Sequence, residues 1–451
     1  MSPSKVSILN FDNFYNIVDG KRQGSKTFHH GVDPATGQKL WDVPIANEQD
    51  LDSAVTAAKE AFPAWSDTPI EKRKDFQGDW QAGLNTASFD IGAAAGFMAY
   101  HCGLKIPEEE TEDDEKTIYT EYTPLGVCAG IVSWNFPLIL SAGKIAPALL
   151  TGNTIIIKPS PFTQYSGLKL VELGQDIFPP DVLQAVGGNE ELGALMATHP
   201  DIAKISFTGS IATGKKVMAA SAKTLKRVTL ELGGNDACII LPDVDIKKVA
   251  PEVVMGAFLN SGQVCIATKR IYVHESIYKE FLLEMVTFTK TNKIGSPDDG
   301  DNLVGPMQNA MQYEKVKDFF ADSKAQGYKF AAGNPDNIPS SSAGFFIPPA
   351  IVDNPPNDSC IIAEEPFGPI VPTQPWCDLD EVIARANNTT TGLGACVWAA
   401  DVDKAMQIAR RLEAGSVFVN SYEKATPLAI FGGHKESGIG GSGARRACWL
   451  S

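Results

Sequence analysis

The chain has 451 residues, enough for two or three domains with substantial cores. Hydrophobic residues make up 43% and charged residues 21%, a balance typical of soluble globular proteins. The formal net charge of −15 argues against a surface for nucleic acid or anionic membranes, and its ordinary interpretation is solubility.

The amino-terminal residues lack the basic segment followed by an apolar segment that marks a secretory signal peptide. The best membrane candidate, residues 131–150, contains Trp134, Asn135, two prolines and Lys144, so a spanning helix is not expected. The eight cysteines include no C-x-x-C pair, and the six histidines show no metal-ligand spacing. We therefore predict a cytoplasmic protein with reduced thiols and no metal.

Strand and helix patterns alternate from residue 126 to residue 233. The runs GVCAGIVSW, NTIIIKPS, VLQAVGG, IAKISFTGS and KRVTLELGG are typical of buried strands, and helical stretches separate them. This alternation predicts right-handed βαβ crossovers and a doubly wound parallel sheet with helices on both faces. Sheets of this kind bind ligands beyond the carboxyl ends of their strands.

A second α/β region follows from about residue 234. It contains the helical pattern DVDIKKVAPEVVMGAFLN, the strand pattern KRIYVHES and the helical pattern SIYKEFLLEMVTFTKTN, with further strands and helices after them. The acidic stretch EETEDDE, residues 109–115, is predicted to be a solvated connection between elements.

Three side chains stand at predicted strand ends or loops. Cys265 follows Gly262 in NSGQVC, where a reactive group is displayed more readily than in a core, although most single cysteines are structural. Glu231 ends the strand in TLELGG. It is either a solvated acid at a strand end or a carboxylate that takes part in the chemistry. Asn135 ends a strand in SWNFP. Its side chain either forms a turn or donates a hydrogen bond to an oxyanion. Together they suit acyl chemistry through a thioester.

At these residues the sequence resembles the aldehyde dehydrogenase superfamily, and its motifs are most similar in character to those of fungal members. LELGG is similar to the family's glutamate motif, NSGQVC to its cysteine motif and SWNFP to its PWNFP motif. The stretches EEPFGP, residues 364–369, and FGGHKESGIG, residues 431–440, match two further signatures, and the resemblance covers roughly residues 15–440.

The resemblance implies a Rossmann-like cofactor domain and a second α/β catalytic domain. The implied NAD(P)-binding domain comprises residues 1–107 and 123–233, and the implied catalytic domain residues 234–430. Residues 108–122 and 431–451 are the implied oligomerisation elements, of which the carboxyl-terminal one is atypical.

The implied reaction is oxidation of an aldehyde to a carboxylic acid with NAD(P)+. Cys265 would form a thiohemiacetal and then a thioester, while Asn135 and the Cys265 backbone N–H hold the oxyanion. Glu231 would activate the water that hydrolyses the thioester. Acyl transfer to coenzyme A and a catalytically impaired, truncated paralogue are the alternatives.

The resemblance also assigns the cofactor and substrate residues. Cofactor binding is assigned to Trp134, Lys158, Gly209, Ser210, Gly214, Glu365 and Phe367, with the helix start after SFTGS suited to pyrophosphate. Pro161 stands where many NAD-preferring relatives carry a glutamate, so NAD is the first choice and NADP is admissible. The substrate tunnel is assigned to Phe136, Gly143, Val264, Ile266 and Phe431, and Gly143 predicts a wide tunnel.

Two stretches depart from the family pattern. Between EKRKDF and GFMAYHCGLKIP the chain looks shorter by a segment of helix, and the end GGSGARRACWLS lacks the usual closing helix and final strand. The family implies a homo-oligomer, while the altered carboxyl end argues against one. The implied partner is a small-molecule aldehyde, with no nucleic acid and no membrane, and some fungal members serve specialised metabolism.

Overall fold

A computed structural model describes residues 9–84, 89–296, 302–341, 344–422 and 424–442. The described strands are β1 (Asn16–Val18), β2 (Lys21–Gln23), β3 (Phe28–Val32), β4 (Lys39–Pro44), β5 (Glu109–Glu112), β6 (Thr117–Thr120), β7 (Val127–Ile131), β8 (Thr154–Lys158), β9 (Leu183–Ala185), β10 (Lys204–Thr208), β11 (Arg227–Glu231), β12 (Asp236–Ile240), β13 (Thr268–His274), β14 (Lys329–Ala332), β15 (Ala350–Asp353), β16 (Ile370–Trp376), β17 (Gly394–Trp398), β18 (Ser416–Val419) and β19 (Gly438–Ile439).

The described helices pack on these strands. They are α1 (Glu48–Ser66), α2 (Ile70–Leu84), α3 (Phe89–Cys102), α4 (Pro137–Leu150), α5 (Gln164–Gly174), α6 (Glu190–Thr198), α7 (Ile211–Ser221), α8 (Ile246–Phe258), α9 (Tyr278–Thr291), α10 (Ala310–Ala325), α11 (Cys360–Ala363), α12 (Leu379–Asn387) and α13 (Val402–Ala409).

Two sheets organise the molecule. The first has the order β19-β11-β10-β7-β8-β9-β1-β2, and the second has the order β14-β15-β16-β13-β12-β17-β18. Strands β7 to β11 run parallel, and so do β12, β13 and β15 to β18. The predicted α/β class with a doubly wound sheet and a second α/β region is confirmed. The predicted domain boundaries stay a prediction.

The first sheet has a switch point between β7 and β10. The chain steps from β7 to β8 and β9 on one side, and then places β10 and β11 on the other side. Connections leaving β7 and β10 therefore diverge, which opens a crevice at their carboxyl ends. The segment after β7 carries the SWNFP motif, and the segment after β10 carries Gly209 and Ser210.

The two faces of β7, β10 and β11 differ in chemistry. One face presents apolar residues, including Ile131, Ile205 and Leu230, to the core that α1 and α6 complete. The opposite face, called here the polar face, consists of Cys128, Gly130, Lys204, Ser206, Thr208, Thr229 and Glu231, with α4 lying over it. Central parallel strands are ordinarily apolar on both faces, so this polarity needs a functional reason.

Three further expectations concern the acidic stretch, the segment between α2 and α3, and the carboxyl end. The acidic stretch at 109–115 is not a simple connection, because β5 and β6 form an exposed antiparallel hairpin there. The expected shortening falls between α2 and α3, where residues 85–88 lie outside the described residues. The atypical carboxyl end is described only to residue 442, and its strand β19 pairs antiparallel with β11.

Candidate active site

The candidate site lies between the carboxyl edge of the first sheet and the amino edge of the second. Glu231 ends β11, and a four-residue link then enters β12 of the second sheet. Cys265 precedes β13, the neighbour of β12. Asn135 lies in the segment between β7 and α4. The fold therefore brings three distant segments of the chain to one place.

The loop before Cys265 has an irregular backbone. Helix α8 ends at Phe258, and a 3₁₀ turn covers Leu259–Gly262. Within that turn Asn260 has φ 52°, Ser261 has φ 57° and Gly262 has φ 70°. Non-glycine residues rarely adopt such left-handed angles, and they persist where surrounding contacts enforce them.

Close packing explains the glycine in this loop. A Cβ atom at Gly262 would lie 2.4 Å from the carbonyl oxygen of Gly368. The buried Lys269 Nζ donates to the Gly262 carbonyl at 2.8 Å and to the Gly368 carbonyl at 3.1 Å. The loop is thus joined by hydrogen bonds to the EEPFGP segment, and only glycine fits at position 262.

The Gln263 side chain fixes the same loop from within. Its Nε2 donates to the Asn260 carbonyl at 3.0 Å, and its Oε1 accepts from the Gln308 backbone N–H at 2.9 Å. These bonds hold the backbone two residues before Cys265. The position of the sulfur is therefore set by contacts from three segments of the chain.

The Cys265 side chain is half-buried and lies near three acidic side chains. Burial raises the pKa of the Cys265 thiol well above its usual range, and the charges of Glu365, Asp236 and Glu231 raise it further, in that order. The backbone N–H of Ile266 partly opposes this rise in pKa. The thiol consequently holds its proton at neutral pH, and that proton must leave before the sulfur can act as a nucleophile.

Glu231 is a buried carboxylate with defined partners on the polar face. It is 6% exposed, and its Oε2 accepts a hydrogen bond of 3.0 Å from the Thr208 hydroxyl. The Ser442 hydroxyl donates to its Oε1. Lys144 Nζ lies 3.7 Å from its Oε2. These hydroxyl donors and the nearby ammonium group offset the cost of burying the Glu231 carboxylate.

Lys144 of helix α4 completes that arrangement. Its Nζ donates to Thr208 Oγ1 at 2.7 Å and to Ser206 Oγ at 3.3 Å. Burial lowers the pKa of Lys144, and the charge of Glu231 opposes that effect. The Thr208 hydroxyl accepts from the lysine and donates to the carboxylate, so the orientation of Glu231 is coupled to α4.

The Asn135 amide lies against the cysteine loop. Its Nδ2 donates to the Gln263 carbonyl at 3.1 Å, and its Oδ1 accepts from the Ser133 hydroxyl at 2.8 Å. The Asn260 amide in turn donates to the Asn135 carbonyl at 3.2 Å. Ser133 thereby fixes which end of the Asn135 amide faces the loop, and the N–H donors are the end turned toward it.

Two further carboxyl groups flank Cys265. Burial raises the pKa of Glu365 to about 8, with Lys269 and Lys315 opposing the rise, and its Oε1 accepts a 3.4 Å bond from the Gly234 N–H. Burial likewise raises the pKa of Asp236 to about 7. No sequence motif pointed to Asp236, and Glu365 was assigned to cofactor binding.

The residues assigned to the cofactor fall in three places. Trp134 and Phe367 contact each other edge to face, with ring centroids 5.3 Å apart. Gly209 and Ser210 lie between β10 and α7, and the Ser210 hydroxyl caps that helix through the Thr213 N–H at 3.2 Å. Gly214 lets α7 approach Leu232, because a Cβ there would lie 2.6 Å from a Leu232 methyl.

Lys158, assigned to the same cofactor, ends β8 as a buried cation. It is 3% exposed, and among the described residues its Nζ makes one long bond, of 3.4 Å, to the Pro159 carbonyl. Burial lowers the pKa of Lys158 to about 8, and the charge of Glu190 opposes that effect. An ammonium group has three donors, so Lys158 has capacity for ligand hydroxyl groups.

The residues assigned to the substrate tunnel are spread around the site. Val264 is half-buried beside Cys265, whereas Ile266 is 4% exposed and packs toward Gly394. Phe136 precedes the first residue of α4. Phe431 pairs through its backbone with Ser442, the partner of Glu231.

Gly143, the remaining tunnel residue, lies on α4 next to Lys144 and borders a cleft above the polar face. Its part in a substrate tunnel stays a prediction.

Among the described residues, no group of three or more His, Cys, Asp or Glu side chains is placed to hold a metal ion. None of the helices in the described ranges is both long enough and apolar enough to cross a membrane.

Comparisons with known proteins agree on one family. The aldehyde dehydrogenase family model matches residues 21–87 and 78–449. Aldehyde dehydrogenase LUC3 of a Fusarium species is 42% identical over 451 residues, covering 96% of this chain and 95% of that protein. The chain belongs to the aldehyde dehydrogenase family.

Solved structures of family members are similar over the whole chain. A Mycobacterium tuberculosis aldehyde dehydrogenase in complex with NAD+ matches with a TM-score of 0.91 and 31% identity, covering 96% of this chain and 95% of that one. A cysteine-to-alanine mutant of Pseudomonas syringae aldehyde dehydrogenase C, complexed with NAD+ and octanal, matches with a TM-score of 0.90 and 31% identity, covering 100% and 97%. The family's reaction is oxidation of an aldehyde with a nicotinamide cofactor, and this chain shares it.

The motifs around Glu231 and Asn135 did not reveal which residues hold these two side chains. Lys144, Thr208 and Ser442 hold Glu231, and Ser133 holds Asn135. One signal was available: the strands KISFT and RVTLE place polar residues at every second position, which puts them on one face of the sheet.

Proposed function

We propose that the chain oxidises an aldehyde to a carboxylic acid with NAD through a thioester on Cys265, with Asn135 as oxyanion donor and Glu231 as general base. The supporting observation is the convergence of these residues from three segments. The Asn135 amide touches the cysteine loop at 3.1 Å, and Glu231 is near enough for its charge to raise the pKa of Cys265.

Attack on the aldehyde begins at Cys265. Its sulfur bonds to the carbonyl carbon, its proton passes to a neighbouring carboxylate, and the carbonyl oxygen becomes an oxyanion. Asn135 uses one amide hydrogen on the Gln263 carbonyl, and we assign its other amide hydrogen, with the Cys265 backbone N–H, to that oxyanion. When bound, the nicotinamide ring supplies the hydride acceptor that turns the adduct into a thioester.

Release of the product uses Glu231. This carboxylate takes a proton from a water molecule, the water oxygen bonds to the thioester carbon, and the carbon–sulfur bond breaks to free the acid and Cys265. Thr208, Ser442 and Lys144 hold the carboxylate for this step. A carboxylate held in this way can activate water. Glu231 therefore favours water over coenzyme A as the acyl acceptor.

The residues at the switch point fit a dinucleotide. Lys158 has donor capacity for ribose hydroxyl groups, and the start of α7 presents backbone N–H groups suited to pyrophosphate. NAD is preferred over NADP in this proposal, since Glu190 lies near enough to act on the Lys158 charge and would repel a 2′-phosphate there. Pro161 contributes no carboxylate to that discrimination.

The remaining assignments extend the same proposal. Residues 1–107 with 123–233 form the cofactor domain, residues 234–430 the catalytic domain, and residues 108–122 with 431–451 the oligomerisation elements. The enzyme acts in the cytoplasm on a small aldehyde, and its path to Cys265 is assigned to Phe136, Gly143, Val264, Ile266 and Phe431. Whether it assembles is tested by light scattering of the purified protein.

The deciding experiment incubates the purified protein with a panel of aldehydes and either NAD or NADP, and follows absorbance of the reduced nicotinamide. Activity with NAD at higher catalytic efficiency than with NADP is expected. The variant Cys265→Ala loses the signal, whereas the exposed-cysteine control Cys377→Ala keeps it. An active Cys265→Ala variant refutes the thioester, and a preference for NADP refutes the cofactor choice.

A further inference from the structure

A cleft opens between helix α4 and the polar face, on the side of Glu231 away from the cysteine loop. Its volume is about 50 Å³, and its lining includes Cys128, Gly143, Lys144, Lys204, Thr229 and Ser442. A volume of this order holds a few water molecules or one compact ion, and it is far too small for a dinucleotide.

Lys204 is the unusual residue of the cleft. It is 7% exposed, and its Nζ has no hydrogen-bond partner among the described residues. The Thr229 hydroxyl, 3% exposed on the neighbouring strand, likewise has no partner in the described part of the chain. A buried ammonium group without an acceptor is costly, and a bound ion or water molecule is one way in which native proteins compensate such a group.

The charged groups around Lys204 give the cleft an excess of positive charge. Lys144 lines the same cleft, and Arg227 stands beside Lys204 in the strand register. Burial lowers the pKa of Lys204 to about 8, with Lys144 and Arg227 acting in the same direction and with Cys128 and Glu231 opposing them. Glu231 is already engaged by Thr208 and Ser442, so its charge balances Lys144 and leaves Lys204 unmatched.

We propose that this cleft is a binding site for a compact oxyanion, held between the ammonium groups of Lys204 and Lys144 with a hydrogen bond from the Thr229 hydroxyl. Phosphate and short carboxylates share the required chemistry, since each presents several acceptor oxygens to clustered donors. The site is separate from the start of α7, which the proposed cofactor pyrophosphate would use. The inference does not depend on the thioester mechanism.

The test measures anion binding to the full-length protein saturated with NAD, so that the cofactor occupies its own phosphate site. Isothermal titration at constant ionic strength uses inorganic phosphate in one arm and acetate in the other, against a chloride reference. We expect saturable binding with one site per chain in at least one arm, and the arm that saturates identifies the source of the anion. Absence of saturable binding in both arms overturns the proposal.

Variants locate the site. Lys204→Met keeps the aliphatic stem and removes the charge, and it should weaken binding by about tenfold or more. Lys216→Met, the control, removes an exposed lysine from α7 with the same change in net charge and should bind like the wild type. Equal binding by Lys204→Met and the wild type overturns the proposal.

A second variant guards against misfolding of the first. A Cβ atom built at Gly143 meets no atom within 4 Å, so Gly143→Leu extends from α4 into the cleft. Loss of anion binding in this variant, with an unchanged circular dichroism spectrum, supports the site even if Lys204→Met does not fold. Retention of wild-type binding by a folded Gly143→Leu protein contradicts it.

Discussion

The proposed nucleophile, Cys265, and the proposed base, Glu231, are held by two different kinds of backbone. Glu231 ends a regular parallel strand that pairs residue by residue with β10 and lies under a long helix. Cys265 follows a turn in which three consecutive residues have left-handed angles. Regular backbone hydrogen bonds hold the strand that ends at Glu231, whereas the loop needs Gln263, Lys269 and Gly368 to hold its shape.

This difference indicates where the site tolerates change. The base depends on side-chain partners at the end of a rigid element, so losing one partner should alter its chemistry without affecting the fold. The nucleophile depends on a strained backbone, so a change in the loop should affect stability and activity together. The following substitutions test that contrast.

The largest effect is expected at Glu231. Glu231→Gln keeps the size and the hydrogen-bonding ability of the side chain but removes the base, so turnover should fall by about 10²–10⁴-fold. Because only hydrolysis is blocked, rapid mixing should show one equivalent of reduced cofactor per site before the reaction stops. Glu436→Gln, an exposed acid, serves as the control. A uniformly slow reaction without that first equivalent contradicts the assignment.

Asn135→Ala should have the next largest effect. Removing one oxyanion donor typically lowers kcat by about 10²–10³-fold. Ser133→Ala should cause a smaller fall in kcat, because Asn135 stays in place but loses the 2.8 Å bond that orients it. Steady-state kinetics with a short aldehyde provides the measurement. A change confined to KM would show that Asn135 only binds substrate.

Gly262→Ala tests the loop itself. The new Cβ would meet the Gly368 carbonyl at 2.4 Å and would require φ of 70°, so unfolding free energy should fall by about 1–3 kcal/mol. Activity should fall with it. Gly96→Ala, in α3 with no atom near the new methyl, should leave stability equal or slightly higher. Urea denaturation of both variants decides, and unchanged stability of Gly262→Ala would contradict the strained loop.

The smallest effect concerns pH. Since burial and three carboxylates raise the pKa of Cys265, its thiolate fraction at pH 7 is below that of a free cysteine. Alkylation by iodoacetamide, followed by mass spectrometry of the Cys265 peptide, should be slow at pH 7 and rise about tenfold per pH unit beyond pH 9. Asp236→Asn removes one of the charges and should speed alkylation near neutral pH. A rate that levels off below pH 8 would exclude the raised pKa.

The sequence predicted the regular half of the molecule well. Apolar runs such as NTIIIKPS and GVCAGIVSW mark parallel strands because both faces of most of the sheet are covered. The alternating pattern of KRVTLELGG placed Glu231 at a strand end. The periodicity of DVDIKKVAPEVVMGAFLN likewise predicted a helix, which the structure bounds at Ile246–Phe258.

The irregular half could not be predicted in the same way. No local pattern shows that Asn260 and Ser261 adopt positive φ, because the Gly368 carbonyl, which Lys269 joins to this loop, is distant in sequence. The partners of Glu231 were missed for a related reason. Ser442 lies 211 residues from it and meets it only because β19 pairs with β11. Long-range contacts of this kind require the folded structure.

The position of Ser442 has a consequence for how the enzyme matures. A ribosome completes β10, β11 and the cysteine loop long before it adds β19 and the serine that holds Glu231. A nascent or proteolytically nicked chain lacking that last strand would therefore possess its nucleophile before its base is secured. In the proposed mechanism, such a species would form the thioester on Cys265 but hydrolyse it slowly, so the pairing of β19 with β11 completes the site for hydrolysis.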